Sequence, residues 1–296
     1  MAKRDTGAGR TAQGGARAVT VVVRRPAPPL SGLVQAIIYR AGEQPRTSVE
    51  KILPGPDTGL WVNLNRDAFR SFATTDQDSV GRVTQVPGAM VSGPTSRASV
   101  IEFEQGHAHV SVTFTLGAAS RFVGPALAAA RDELVPLELL WKGDGAYLRE
   151  QLLAARTPQD ALGVMEAALL RQLSGPLARD PAVIAAARAL SRGTGVGEVS
   201  RDLGLLPRTL RRRFTAQVGL TPKRFARVQR MQRLVRELDG HTEADWAAMA
   251  ARHGYADQPH LADEFRALAG VTPGEYLRSR VNGPNHLRAP SHDRSA

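Results

Sequence analysis

Short apolar and alternating runs dominate the first part of the chain and predict β-strands. The runs AVTVVV, VQAIIY, LWVNL, SVIEFE and HVSVTFTL are separated by segments rich in Gly, Pro and Asp, such as LPGPDTG and VSGPTS. From Val110 to Leu116 apolar and polar residues alternate, so the two classes fall on opposite faces of a strand. Many short strands punctuated by turns are typical of a sandwich or a barrel. Residues 18–175 are therefore predicted to form a β-rich domain that ends in helices.

The apolar spacing changes to a helical period after residue 145. Thr157, followed by a proline, supplies an N-cap and a first-turn proline for a helix that runs to about Leu173. The segment SGPLA at 174–178 is predicted to be a linker. Asp180 is also followed by a proline, and this second cap signal predicts the start of an all-helical region.

Two segments of this helical region repeat each other. They are VGEVSRDLGLLPRTLRRRFTAQVGLTPKRF and WAAMAARHGYADQPHLADEFRALAGVTPGEY. The residues that recur 51 positions later are Leu210, Phe214, Gly219, Thr221, Pro222 and Phe225, which return as Leu261, Phe265, Gly270, Thr272, Pro273 and Tyr276. Each segment contains a short helix, a glycine turn, a second helix with an apolar i, i+4 pair and a Thr-Pro cap for the next helix. This order is the helix-turn-helix layout, in which the second helix can enter a major groove.

The repeat divides residues 180–281 into two units and a spacer. The first helix-turn-helix unit is predicted at about 195–218, the linker helix at 222–238 and the second unit at about 244–269. A linker helix of about 24 Å could place the two reading helices about one duplex turn apart, ~34 Å. The terminal segments, 1–17 and 282–296, have no periodicity and are predicted to be disordered tails.

The charge of the chain is concentrated in the first unit and the linker helix. The formal net charge is +11, which indicates a polyanionic partner. Residues 201–236 contain eleven Lys and Arg against one acid, whereas residues 241–280 contain four Arg against six acids. The absence of cysteine excludes disulfides, a thiol nucleophile and a Cys-type zinc finger. With no apolar signal segment and no long apolar run, we expect a cytoplasmic protein without membrane contact.

The segments LPRTLRRRF…GLTPKRF and GYADQPHLADEFRALAGVTPGEYL resemble the DNA-binding domain of the AraC/XylS family of bacterial transcription regulators. The resemblance covers residues 180–281 and implies seven helices in two helix-turn-helix units joined by a long helix. The segments LPGPDTGLWVNL and VSVTFTLGAASRFVG resemble the cupin-like sensor domains of some members. We therefore expect an α+β, two-domain protein. Its β-rich, cupin-like barrel or sandwich precedes an all-α double helix-turn-helix domain.

The arginines of the first reading helix are predicted to point in different directions. With ~100° per residue, Leu210 and Phe214 define the buried face, and Arg208 and Arg212 point away from it. Arginine can bind guanine O6 and N7 bidentately. The family resemblance implies base contacts from Arg208, Arg211 and Arg212. Phosphate contacts are predicted for Arg213, Thr215, Lys223, Arg224 and Arg227.

The second reading helix departs from the family pattern. Asp263 stands where the family has a reading Arg, and Glu264 adds another acid. The base contacts predicted here are therefore limited to Gln258 and His260, with Asp257 as the helix N-cap. In the first unit, Leu206 stands where a capping Ser is common.

The remaining chemical signals are sparse. His107 and His109 lie beside Glu102 and Glu104, but the carboxylate that a cupin metal site needs does not follow, so we predict no metal and no cofactor. Trp61 is interpreted as a core residue, as are the other two tryptophans.

The sequence thus predicts a non-enzymatic, ligand-responsive transcription regulator that binds promoter DNA mainly through its first unit. Its partners would be double-stranded promoter DNA, RNA polymerase, a small-molecule effector and a second copy of itself. The resemblance implies activation more often than repression. Two alternatives stay open: a nucleic-acid binder without sequence preference, and a metal-dependent cupin enzyme fused to a DNA-binding module.

Overall fold

A computed structural model describes residues 19–42, 48–75, 79–103, 108–175, 179–281 and 283–289. The predicted tail 1–17, most of the predicted linker and His107 lie outside these residues. In the described part the strands are β1 (Thr20–Arg24), β2 (Val34–Ala41), β3 (Ser48–Ile52), β4 (Gly59–Asn63), β5 (Ala68–Thr75), β6 (Ser79–Pro87), β7 (Ala89–Ser92), β8 (Ser99–Phe103), β9 (His109–Phe114), β10 (Leu134–Pro136) and β11 (His286–Arg288). The α-helices are α1 (Ser120–Val123), α2 (Leu137–Trp141), α3 (Asp144–Leu153), α4 (Pro158–Gln172), α5 (Pro181–Arg192), α6 (Val196–Asp202), α7 (Pro207–Val218), α8 (Pro222–Glu237), α9 (Trp246–His253), α10 (Gln258–Ala269) and α11 (Pro273–Ser279).

The strands form two antiparallel sheets. The first has the order β1-β2-β9-β4-β7-β10 and the second the order β11-β3-β8-β5-β6. The chain passes from the second sheet to the first at Gly88, where the backbone of Arg66 approaches so closely that a Cβ atom would lie 2.9 Å from its carbonyl oxygen. Neither sheet closes on itself among the described strands. Of the two predicted β architectures, barrel and sandwich, the closed barrel is therefore not the one observed.

The first sheet carries the largest core of the described residues. Val110 and Val112 of the central strand β9 are fully buried, and helices α1 to α4 cover the same cluster. His109 on the other face of β9 is buried as well, so this strand is covered on both faces. The predicted Thr157 cap is confirmed, because its hydroxyl accepts from the Asp160 N–H and the Asp160 carboxylate accepts from the Thr157 N–H.

The C-terminal helices form two cores that share α8. The first core contains Leu210, Phe214 and Phe225, and the second contains Phe265 and Tyr276. Phe214 and Phe225 meet edge to face at 5.2 Å, and their counterparts Phe265 and Tyr276 meet in the same manner at 5.6 Å. The 51-residue repeat is therefore a structural repeat. Helix α8 buries its first turn in one core and its later turns in the other, which joins the units rigidly.

The segment after α11 corrects the prediction of a disordered tail from 282 onward. Residues 286–288 form β11, which pairs antiparallel with β3, so that His286 lies opposite Ile52 and Arg288 opposite Glu50. Leu287 is buried in the core of the second unit. A three-residue strand has too weak a local pattern to be recognised, because its stability comes from a partner more than 200 residues away in the chain. No helix within the described ranges is long and apolar enough to span a bilayer.

Candidate nucleic-acid interface

Helix α7 presents three arginines to solvent. Leu210 and Phe214 are buried, while Arg208, Arg211 and Arg212 are exposed and have no hydrogen bond or ion pair among the described residues. Pro207 occupies the first turn, and Leu206 at the N-cap makes no side-chain cap, as the sequence predicted. The N-terminal half of α7 therefore offers three guanidinium groups that can be directed to an anion or a base edge.

Arg213, by contrast, forms an ion pair with another residue of the protein. Its Nε and Nη2 atoms donate to the two carboxylate oxygens of Asp180, each at 2.6 Å. Partial burial raises the pKa of Asp180, but the hydrogen bonds from Arg213 and the Ala182 N–H outweigh it and leave that pKa below its usual value. Since Asp180 also caps α5, the pair fastens α7 to α5. The phosphate contact of Arg213 stays a prediction, and it would compete with this ion pair.

Thr215 occupies a different position from the one expected. A phosphate contact was predicted for it, but its hydroxyl oxygen is buried and has no hydrogen-bond partner among the described residues. Helix α7 packs against residues 124–128 of the N-terminal domain. Gly219, which ends the helix at φ +79°, lies so close to Pro94 that a Cβ atom would come within 2.6 Å of its Cγ. This burial does not agree with the predicted phosphate contact.

The first four of the six cations of α8 fall into two groups. Lys223 and Arg224 in the first turn are exposed and have no hydrogen bond or ion pair from their side chains among the described residues. Arg227 and Arg230 donate to the two oxygens of Glu264, at 2.8 and 2.7 Å. The first pair is thus available for phosphates, whereas the second pair is partly neutralised.

Arg230 is additionally fixed by the turn of the second unit. It donates to the carbonyl oxygen of Gly254 at 2.8 Å, and its guanidinium lies 4.5 Å from the centre of the Tyr255 ring. Burial raises the pKa of Tyr255 to about 12, so the ring is neutral at physiological pH.

Helix α10 of the second unit exposes fewer donors. Gln258 is exposed, and Asp257 caps the helix by accepting from the His260 N–H, as predicted. The His260 ring is half-buried, with its Nδ1 3.1 Å from the Ala256 N–H, which makes that nitrogen an acceptor. Asp263 is exposed on the ridge that corresponds to Arg212. The base contacts of Gln258 and His260 stay predictions.

One cationic element was missed by sequence reasoning. A groove of about 450 Å³ separates the two units, and Arg192, Lys223 and Arg252 lie among its lining residues. Arg192 is exposed at the end of α5, outside the charge-rich window. The sequence offered one signal for it, a basic residue in the last turn of a predicted helix. Lys223 and Arg192 extend the basic surface of α7 toward the second unit.

The described residues contain no group of three or more His, Cys, Asp or Glu that could hold a metal ion. His109 is buried, and its ring lies 5.2 Å from that of Trp61. Of the residues that the cupin alternative would use, His107 and Glu104 lie outside the described residues.

Comparison with known proteins gives a consistent assignment for the helical region. Residues 199–279 match a helix-turn-helix domain family, and residues 23–136 match a domain of unknown function, DUF6597. The HTH-type transcriptional activator RhaS of Escherichia coli (strain SE11) is 33% identical over 82 residues, which are 28% of this chain and 29% of that protein. The chain thus spans less than a third of the length of this curated relative.

Solved structures of ToxT from Vibrio cholerae match much of the chain at low sequence identity. One covers 89% of this chain and 98% of its own, with 13% identity and a TM-score of 0.40. Another, with an unsaturated fatty acid bound, covers 79% and 96%, with 12% identity and a TM-score of 0.39. From the family match, the aromatic repeat and the two reading helices, the chain carries an AraC-type helix-turn-helix domain at its C-terminus, and the resemblance to the AraC/XylS family is confirmed there.

Proposed function

We propose that the protein is a sequence-specific transcription regulator that reads promoter DNA mainly through its first helix-turn-helix unit. The observation that carries this proposal is the contrast between the two reading helices. Helix α7 exposes Arg208, Arg211 and Arg212 without partners among the described residues, whereas α10 exposes Asp263 at the equivalent ridge. Arginine is the residue best suited to guanine edges, and a carboxylate repels the phosphate backbone.

In this proposal the remaining cations increase the affinity for DNA, and the arginines of α7 provide the sequence specificity. Lys223 and Arg224 lie at the start of α8, directly after the reading helix, where they can contact phosphates. Contacts of this kind increase affinity and salt dependence but do not distinguish sequences. Specificity would then reside in α7, with Gln258 and His260 of α10 as secondary contacts.

The N-terminal domain supplies the regulatory input in this proposal. Its sheets and helices, at 18–175, would sense a small molecule, form a homodimer, or both. Binding at a promoter in the cytoplasm would then alter contact with RNA polymerase. The AraC-type domain supports this reading, since it is a module of transcription regulators.

The test begins with selection of a preferred duplex from a random library. Affinity is then measured by fluorescence anisotropy for that duplex and for a scrambled duplex of the same composition. Arg212→Ala is expected to weaken the selected duplex by about 1–3 kcal/mol, or about 5- to 150-fold. The scrambled duplex should change much less.

Arg171→Ala is the matched control, because Arg171 is an exposed helical arginine of the N-terminal domain and the charge change is the same. Equal weakening of both duplexes by Arg212→Ala would make Arg212 a phosphate contact only. Failure of the library to yield any preferred duplex, with tight and salt-dependent binding throughout, would favour the sequence-indifferent binder instead.

A further inference from the structure

The reading helix α7 begins at an exposed leucine. Leu206, its N-cap residue, is 61% exposed, and no other large apolar side chain in the described range 179–281 is as exposed. Leu203 and Leu205 of the same turn pack against the core of the first unit. The turn is closed by Ser200, whose hydroxyl donates to the Leu205 carbonyl oxygen at 2.5 Å. The Leu206 side chain therefore takes part in neither the core nor the closure of the turn.

Most other helices of the domain begin with a side-chain cap. The residues whose side chains accept a backbone N–H at the start of α5, α8, α9, α10 and α11 are Asp180, Thr221, Asp245, Asp257 and Thr272. Leu206 gives α7 no such cap. Its counterpart in the 51-residue repeat is Asp257, which accepts from the His260 N–H. Because Asp and Thr caps stabilise a helix and leucine does not, α7 lacks this stabilisation at the end from which helix-turn-helix proteins contact base edges.

An apolar side chain at this end of the helix has one apolar partner on the base edges. In the major groove the four bases present hydrogen-bond donors and acceptors, and thymine adds its C5-methyl group. A leucine side chain can neither donate nor accept a hydrogen bond. The methyl group of thymine is therefore the feature that Leu206 can distinguish, since contact between the two removes apolar surface from water.

Arg208 limits where this thymine can lie. It is exposed two residues after Leu206, and its side chain has no hydrogen bond or ion pair among the described residues. Consecutive Cα atoms are about 3.8 Å apart, and the base pairs of a duplex are about 3.4 Å apart. The two side chains therefore reach bases within about two base pairs of each other.

We propose that Leu206 is a specificity-determining residue of the first unit and contacts the C5-methyl group of a thymine within about two base pairs of the base that Arg208 reads. This inference rests on the proposed function, because it requires α7 to lie in a major groove. Single exposed leucines are common on protein surfaces. Leu206 differs from them because it stands at the start of the reading helix, where a capping residue would stabilise the free protein.

The test replaces each thymine of the selected duplex by uracil, one at a time, and measures the affinity by fluorescence anisotropy. Uracil keeps the hydrogen-bonding groups of thymine and lacks only the methyl group, so the substitution removes the proposed contact alone. For the wild type we expect one uracil to weaken binding by about three- to tenfold. That uracil should lie within about two base pairs of the position at which Arg208→Ala relaxes the base preference. A scan without any such position would overturn the inference.

Leu206→Ser removes the apolar contact and supplies a hydroxyl that can cap α7. At the position found by the scan, this variant should bind the thymine and uracil duplexes equally, while Leu206→Met should keep most of the discrimination. Leu139→Ser is the matched control and should discriminate like the wild type, because Leu139 is 74% exposed on α2 of the N-terminal domain. Wild-type discrimination in Leu206→Ser, or a loss in Leu206→Met as complete as in Leu206→Ser, would overturn the role of Leu206.

Thermal unfolding shows whether a loss of discrimination comes from damage to the fold. Leu206→Ser should raise the unfolding midpoint by about 2–4 °C, because it adds a side-chain cap. A variant that is more stable than the wild type and no longer discriminates has lost the contact with the methyl group. A lowered midpoint would show that Leu206 stabilises the free protein, and it would overturn the argument from the missing cap.

An alternating adenine–thymine duplex and its adenine–uracil counterpart give a measurement that needs no selected site. If the library yields no preferred duplex, the proposed function fails. A preference of the wild type for the thymine duplex, abolished in Leu206→Ser, would still support the contact, whereas equal binding of the two duplexes would overturn it as well. If a preferred duplex is found but its uracil scan is flat, only the role of Leu206 fails.

Discussion

Glu264 restrains two arginines of the linker helix, and its replacement by glutamine separates their roles in stability and in DNA binding. Its carboxylate oxygens accept from Arg227 and Arg230 at 2.8 and 2.7 Å, and its side chain is only 14% exposed. Arg230 keeps two further contacts, with Gly254 and Tyr255. Arg227 has no other partner among the described residues. Glu264→Gln should therefore release chiefly Arg227.

The expected magnitude on DNA follows from counterion release. One additional phosphate contact makes the slope of log affinity against log salt steeper by about 0.9. Between about 50 and about 200 mM salt this corresponds to an additional affinity loss of about 3.5-fold. At the lower salt concentration the variant should bind more tightly than the wild type.

The same change should reduce stability. Hydrogen bonds to charged groups contribute about 1.5–3 kcal/mol, but Arg227 is 37% exposed and solvent screens its interaction. Glutamine also retains part of the hydrogen bonding. We therefore expect a loss of about 1–2 kcal/mol in the free energy of unfolding.

Both quantities are measurable on one preparation, by duplex titrations over a salt series and by urea denaturation. Glu243→Gln is the matched control, because Glu243 is an exposed acid near the second unit without a side-chain partner among the described residues. A salt slope of Glu264→Gln equal to that of Glu243→Gln would refute the reasoning. Arg227 would then lie away from DNA even when it is released.

Three further changes test other parts of the interface. Asp263→Arg is expected to strengthen duplex binding in anisotropy titrations, since it replaces an exposed carboxylate on the reading ridge; unchanged binding would show that the ridge does not approach DNA. Arg213→Ala should cost about 1–2 kcal/mol in urea denaturation, because the partly buried Asp180 carboxylate loses its ion pair and keeps the hydrogen bond from the Ala182 N–H; a smaller loss than about 0.5 kcal/mol would contradict the structural role. Hydrogen bonds from the Thr272 N–H and hydroxyl lower the pKa of Glu275 below its ordinary 4.5. Its contribution is therefore present above that pH and is lost as the pH falls through the lowered pKa. Glu275→Gln should accordingly be less stable than the wild type at neutral pH and equal to it in acid, and a pH-independent difference in thermal unfolding would contradict this.

The local architecture of the helical region could be predicted from the sequence because its signals are short-range. Phe214 and Phe265 occupy equivalent places in two repeated segments, and each is fully buried in its unit. Asp257 and Thr157 precede helices as caps, and both accept the expected backbone hydrogen bonds. Helical periodicity and capping involve residues three to four positions apart, so both can be recognised in the sequence.

The partners of the charged residues could not be predicted in this way. Arg213 lies 33 residues from Asp180, and Arg227 lies 37 residues from Glu264. Arg213 lies on α7 and Arg227 on α8, and both helices are rich in cations. A count of charges treats all of these cations as free to bind an anion. Only the packing of one helix against another shows which guanidinium groups are already neutralised. The position of β11 could not be predicted for the same reason, because its register depends on the distant strand β3 and on no local pattern.

The two reading helices are built on one repeat, and both contact the N-terminal domain near their C-terminal ends. The C-terminal end of α10 is bonded to the N-terminal domain, where the Ala98 N–H donates to the Leu268 carbonyl oxygen at 2.8 Å and Lys51 Nζ lies 3.4 Å from that of Gly270. Its exposed ridge carries Asp263, and the neighbouring Glu264 binds the linker helix. A reading helix with a strong DNA contact would gain from cations at these two positions. Acids there are consistent with a unit whose main partner is the protein itself. Strand β11 pairs with β3, and its Leu287 is buried in the core of the second unit, so this unit is also attached to the sheets.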